Sequence, residues 1–125
     1  MSYPLISILI PFYSTEDYLL RCLESVASQT YSAIEVVVVN DFSSGKSAGG
    51  KNAFQIIQEF SKKYAGRKNF SIRYFEHEKN EGTFETRRTC FEQSSGTYCC
   101  FLDSDDMLLP ESLMSLYEAY KRMTE

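Results

Sequence analysis

Asp103, Asp105 and Asp106 place three carboxylates within four residues, directly after the apolar run Tyr98–Leu102. Like charges this close repel unless a cation or hydrogen-bond donors neutralise them. Oxygen-only ligation of this kind suits Mg²⁺ or Mn²⁺, and one or two protein carboxylates leave coordination positions for water and phosphate oxygens. The chemistry implied is that of a diphosphate held through a divalent ion. The plainer alternative is a solvated loop whose acids cap the next helix. Two further residues end apolar runs: Tyr13 after Ser7–Ile10, and Asp41 after Ile34–Val39. A planar ring can stack on a base and a carboxylate can accept a ring N–H, so together they could hold a nucleotide base. Taken singly, Tyr13 also reads as an ordinary amphipathic residue and Asp41 as an Asx-turn former.

The elements that must position these residues alternate between strand-like and helical patterns, which predicts βαβ units. Ser7–Ile10, ended by Pro11, and the β-branched run Ile34–Val39 read as central parallel strands covered on both faces. Between them Leu19, Leu20, Leu23 and Val26 recur at helical spacing after Ser14-Thr15-Glu16-Asp17, a hydroxyl cap followed by acidic first-turn residues. Phe54, Ile57, Phe60 and Tyr64 mark a second crossover helix closed by Gly66. Phe70–Phe75 gives a third strand, Phe84–Gln93 a helix, Tyr98–Leu102 a fourth strand, and a last helix is expected to start at Pro110. With right-handed crossovers this is an open α/β sheet, Rossmann-like and mostly parallel, with helices on both faces. Ligands in such sheets bind beyond the carboxyl ends of the strands, where Pro11–Ser14, Asn40–Ser44 and Asp103–Asp106 all fall.

Composition narrows the function. A chain of 125 residues has room for one domain with its own core. Thirteen Lys and Arg against seventeen Asp and Glu give a net charge of −4, which argues against a nucleic-acid partner. No apolar run approaches the roughly 18 residues of a membrane span, so no transmembrane segment is expected. Met1-Ser2-Tyr3-Pro4 lacks the pattern of a secretory signal, and the expected location is cytoplasmic. Cys22, Cys90, Cys99 and Cys100 show no C-x-x-C spacing and read as reduced core thiols. The single histidine, His77, lies in the charged stretch Glu76-His77-Glu78, which suits neither a zinc site nor a Ser-His-Asp triad. The basic cluster Lys62, Lys63, Arg67 and Lys68 reads as a solvated helix end.

The stretch SILIPFYSTEDYLLRCLESVASQTYSAIEVVVVNDFSS resembles the opening of a family 2 glycosyltransferase of the GT-A fold. Asn80-Glu81-Gly82, Thr86-Arg87, Ser95-Gly96-Thr97-Tyr98 and Phe101-Leu102-Asp103-Ser104-Asp105-Asp106 resemble later landmarks of that family in the same order. The resemblance implies a donor-binding domain over residues 1–125, with Pro11, Phe12, Tyr13 and Asp41 at the base, usually uracil. Asp103 would then lie at the ribose, Ser104 against the nucleotide, and Asp105 at the metal with Asp103 and Asp106 near it. Arg87, where the family carries an arginine, would orient the donor diphosphate or pair with the acidic loop. It further implies inverting transfer from a nucleotide-sugar to a glycan or lipid-linked acceptor, in cell-surface polysaccharide assembly at the inner face of the membrane. The general base of that family normally lies beyond the length of this chain, so a truncated, donor-binding portion is expected. A sheet cut short could also expose an apolar surface and self-associate as a homo-oligomer. Three departures from the family pattern stand out. Ser14 replaces the usual Asn, Asn40-Asp41-Phe42 stands for Asp-Asp-Gly, and Arg88 replaces the Asn that usually follows the arginine.

Other functions remain as rivals at this level. Asn40–Ser47, NDFSSGKS, differs from a phosphate-binding G-x-x-x-x-G-K-S loop only at its first position, although Ala48-Gly49-Gly50 disfavours the helix that such a loop requires. A non-catalytic binding module would keep the fold without transferring anything. A dinucleotide-binding reading fails because no G-x-G-x-x-G follows the first strand.

Overall fold

The computed structural model describes residues 3–124. In chain order its elements are β1 (Ile6–Phe12), α1 (Glu16–Ala27), β2 (Ile34–Asn40), α2 (Ala53–Lys63), β3 (Phe70–Glu76), α3 (Thr83–Gln93), β4 (Tyr98–Phe101) and α4 (Ser112–Met123). The four strands form one all-parallel sheet in the order β3-β2-β1-β4, so the winding reverses between β1 and β4. The expected open, parallel α/β sheet is therefore what the chain forms.

Every residue of β2 is buried, as a β-branched run between two neighbours must be. Ile34, Val36 and Val38 face the larger core, packed by Leu19 and Leu23 of α1, Ile56, Ile57 and Phe60 of α2, and Leu113 of α4. Val37 and Val39 face the smaller core with Leu9 and Cys90 of α3. Helices thus cover both faces, and each enclosed Val, Leu or Ile contributes about 1.5–3 kcal/mol of burial. A capping box between Asn52 and Gln55 starts α2, and Lys62 and Lys63 complement its carboxyl end.

Several local details differ from the sequence expectation. β1 runs two residues past the point where Pro11 was expected to end it, pairing Pro11 with Val39 and Phe12 with Asn40. Leu9 turns its carbonyl toward the β4 side, accepting from Leu102 N at 2.9 Å, and Pro11 has the same orientation two residues on. Because β4 stops opposite Leu9, the missing amide of Pro11 has no partner to disappoint. β4 itself ends at Phe101 rather than Leu102. Thr15 does sit at the N-cap of α1, but its hydroxyl makes no cap bond and pairs instead with Ser104 Oγ at 2.6 Å. α4 starts at Ser112, not Pro110, because the buried Gln29 side chain organises the segment from outside. Its Nε2 donates to the Leu109 carbonyl at 2.7 Å and its Oε1 accepts from Leu113 N at 3.0 Å.

Candidate nucleotide site

β1 and β2 deliver their carboxyl ends side by side, and β4 delivers the acidic loop next to β1. At this reversal of winding lies a cavity of about 330 Å³ lined by Pro11, Phe12, Tyr13, Asp41, Asn80, Gly82, Thr83, Thr86, Arg87, Asp103, Ser104 and Asp105. Eight of the nine residues singled out in the sequence are on its wall; Asp106 is not. Tyr13 is 53% exposed, leaving its ring open to stacking.

The loops are fixed to one another by side chains of α1. The buried Glu16 carboxylate accepts from Ser43 Oγ at 2.5 Å, Ser43 Oγ accepts from Ser14 N at 3.0 Å, and Asp17 accepts from Ala48 N at 2.5 Å. Together with the Thr15–Ser104 bond, these contacts hold the first, second and acidic loops as one unit. Ser14 adopts φ 57° and Phe42 φ 62°. A left-handed backbone is costly for residues with a Cβ and is tolerated best by Gly and Asn. The two departures from the family pattern at these positions therefore sit where the backbone favours the usual residue.

Asp41 is the most constrained of the site carboxylates. His77 Nδ1 approaches its Oδ1 at 2.9 Å, Glu81 N donates to Oδ1 at 2.7 Å, and Gly82 N donates to Oδ2 at 2.9 Å. Burial by itself would push its pKa up. The His77 bond, the two amides and the charge attraction of His77 outweigh that and hold it below the ordinary aspartate range. Gly82, at φ 92°, is the N-cap of α3, so the carboxylate also sits at the positive end of that helix. The Asx-type turn considered for Asp41 belongs to Asn40, whose Oδ1 accepts from Ser43 N at 2.8 Å.

The acidic loop is more open. Arg87 Nη2 lies 3.0 Å from Asp103 Oδ1, with the guanidinium over the Phe101 ring at 5.1 Å. The two side chains are 41% and 54% exposed, so the pair contributes at most about 1 kcal/mol and can be exchanged for another partner. Asp105 and Asp106 are exposed, and Asp106 N closes a turn onto Asp103 O at 2.9 Å. Among the described residues no group of three His, Cys, Asp or Glu side chains is arranged to hold a metal. The donor set nonetheless fits a hard cation of the Mg²⁺ or Mn²⁺ type, which takes one or two carboxylates and completes its shell with phosphate oxygens and water.

The phosphate-loop reading of Asn40–Ser47 does not fit. No helix follows until Ala53, and a Cβ added at Gly45 would lie 2.8 Å from Glu16 Oε1. Carboxylates of Glu16 and Asp17 occupy the loop where a phosphate would need positive charge. All four cysteines are free, with Cys22 and Cys90 buried as expected. Burial, with smaller contributions from the acidic loop, pushes the Cys22 thiol up to about 12, and burial does the same to Cys90. Cys99 and Cys100, on the edge strand β4, depart from the expectation: Cys99 is exposed and Cys100 half-buried.

Sequence reasoning passed over Asn80, Gly82, Thr83 and Thr86 as wall residues and dismissed His77. Asn80-Glu81-Gly82 and Thr86 were visible as landmarks, without a role. His77 gave no signal, since its partner Asp41 lies 36 residues upstream.

Residues 7–124 match a family model described as Glycosyl transferase family 2. The glycosyltransferase GlyA of Streptococcus pneumoniae is 38% identical over 113 residues, covering 90% of this chain and 14% of the relative. The putative glycosyltransferase EpsH of Bacillus subtilis is 33% identical, covering 89% of this chain and 29% of its own length. Among solved structures, S. aureus TarS 1–349 superposes with a TM-score of 0.73 at 29% identity, over 91% of this chain and 31% of that one. TarS 1–349 has also been crystallised in complex with UDP and with UDP-GlcNAc. The chain therefore spans between about a seventh and a third of the length of these relatives.

Proposed function

The chain belongs to glycosyl transferase family 2, and from that premise we propose that it forms the donor-binding part of an inverting glycosyltransferase using a nucleotide-diphosphate sugar, with UDP as the nucleotide. The observation that carries this reading is the wall of the cavity. One wall is aromatic and apolar (Pro11, Phe12, Tyr13), one holds a fixed hydrogen-bond acceptor (Asp41), and the third pairs a cationic fork with carboxylates (Arg87, Asp103, Asp105). The first two suit a base that stacks and donates a ring N–H, and the third suits a ribose and a metal-bound diphosphate. The UDP and UDP-GlcNAc complexes of TarS support the choice of nucleotide.

In this reading the base stacks on Tyr13 and gives a ring N–H to Asp41, while Ser104 and Asp103 meet the ribose. Asp105, with Asp103 or Asp106 beside it in the loop, would hold Mn²⁺ or Mg²⁺ through one or two carboxylates. Such an ion neutralises the diphosphate and makes it a better leaving group. Arg87 leaves Asp103 for the diphosphate, an exchange that its exposed and weak ion pair permits. The acceptor is a glycan or lipid-linked sugar of cell-surface polysaccharide assembly, and none of the cavity residues named here is assigned as the general base that deprotonates it. A cytoplasmic location at the inner membrane face follows from that role; no helix among the described residues is long and apolar enough to cross a membrane.

Calorimetric titration with UDP in Mn²⁺ tests the reading. Saturable binding that needs the metal and is abolished in Asp105→Asn is expected. Binding of UDP that is indifferent to both metal and Asp105, or tighter binding of ATP, would overturn it.

A further inference from the structure

We propose that His77 is a positioning residue for base recognition: backed by Thr89, it fixes the Asp41 carboxylate so that one acceptor direction on Oδ2 stays open to the cavity. This rests on the reading of the cavity as a nucleotide site and adds a selection rule to it. A carboxylate offers about four lone-pair directions and, when ionised, accepts only. Among the described residues, Oδ1 receives His77 Nδ1 at 2.9 Å and Glu81 N at 2.7 Å, whereas Oδ2 receives Gly82 N alone, at 2.9 Å. The unfilled direction therefore lies on the oxygen of a residue that lines the cavity.

Since Asp41 can only accept, the proton on that side of the imidazole is on Nδ1. Nε2 meets the Thr89 hydroxyl at 2.9 Å, and that hydroxyl also reaches the Glu85 carbonyl at 2.9 Å. Thr89 is on α3 and β-branched, so its χ1 is stiff and the ring is anchored to a rigid element. The His77 side chain is only 10% exposed. The charged groups facing it are Asp41 and Glu81, whose Oε2 lies 3.7 Å from Nδ1. Held in this way, the Asp41 carboxylate presents a fixed acceptor to the cavity. Bases with a ring N–H at the recognised edge, uracil and guanine, satisfy it. Cytosine and adenine present a lone pair there and leave two acceptors facing each other.

The test is calorimetric titration of the wild type, His77→Ala, His77→Asn and Thr89→Val with UDP, GDP, CDP and ADP in Mn²⁺, with thermal unfolding of each variant as a control. UDP or GDP should bind the wild type more tightly than CDP and ADP. His77→Ala should lose about ten-fold in affinity for the preferred nucleotide, the loss of one hydrogen bond to a charged group, and become nearly level with CDP. His77→Asn, whose amide nitrogen can take the place of Nδ1, should recover most of the selectivity, with Thr89→Val intermediate. Equal weakening of all four nucleotides, or undiminished selectivity in His77→Ala, would reduce His77 to a structural residue. A wild type that does not discriminate among the bases would sink the inference alone, whereas a wild type that binds no nucleotide would take the donor-site reading with it. Should His77→Ala fail to fold, the UDP-to-CDP ratio in His77→Asn and Thr89→Val decides.

Discussion

β2 carries one buried carboxylate near its start and is followed by another just past its end, and the two are finished differently. Glu35 receives the Ser7 hydroxyl at 2.5 Å and Ser95 N at 2.9 Å on Oε2, and the Ser95 hydroxyl at 2.7 Å with Arg73 Nη1 at 3.5 Å on Oε1. Asp41 receives three donors and keeps one direction free. Burial works against ionisation at both sites, and at both the hydrogen bonds win and hold the pKa low. Glu35 does not line the cavity, and its hydrogen bonds tether the Ser95-Gly96 turn to the sheet. Asp41 stands at the cavity and is equipped to recognise a ligand. Burial, a lowered pKa and three accepted hydrogen bonds are common to both; what tells them apart is that Glu35 pairs with Arg73 and Asp41 lines the cavity.

Breaking the Glu35 end should cost the most stability. Glu35→Ala leaves Ser7, Ser95 and Arg73 without their acceptor and is expected to lower unfolding free energy by about 3 kcal/mol in urea denaturation. UDP affinity of the folded fraction should not change. Gly96→Ala attacks the same end through the backbone, since an added Cβ would lie 2.5 Å from Ser7 Oγ and 2.8 Å from Ser7 N. A loss of about 2 kcal/mol, read from the same denaturation curves, follows from forced displacement in a packed region. At the other end, Asp41→Asn puts an amide N–H toward donors and toward the base, and UDP affinity is expected to fall about thirty-fold, or roughly 2 kcal/mol, by calorimetry.

Acid should act on both ends together. Each carboxylate has a folded pKa below its unfolded value, so each contributes stability that is fully present above the unfolded value of about 4 and is lost as pH falls through the folded one. Thermal midpoints should drop below about pH 4, and Glu35→Gln should flatten that slope. The smallest effect sharpens the comparison at the loop after Asp41. Phe42→Gly relieves a left-handed backbone at φ 62° but adds freedom to the unfolded chain, for a net gain of about 0.5 kcal/mol.

Legibility in the sequence followed the range of the forces involved. The β-branched run of β2, the stripes of α1 and α2 and the convergence of three loops are local patterns, and each was readable. Boundaries set by distant partners were not. Gln29 determines where α4 begins, and the early end of β4 lets β1 run through Pro11. The same holds in the site. Tyr13, Asp41 and the acidic loop announced themselves by type and position, whereas His77 acquires its role only through contacts with Asp41 and Thr89. The hydroxyl of Thr15 looked like a helix cap and serves instead as a tie to Ser104.

Paramagnetic broadening of backbone amide signals by Mn²⁺, recorded by NMR with and without UDP, tests most directly whether metal and nucleotide share the mouth between β1 and β4. Broadening centred on residues 103–106 that extends to 82–87 only when UDP is present, with shifts at residues 11–14, 41, 81 and 82, is the expected result. Broadening centred on Glu76 and Glu78, or a UDP response that bypasses Asp41 and the acidic loop, would contradict it.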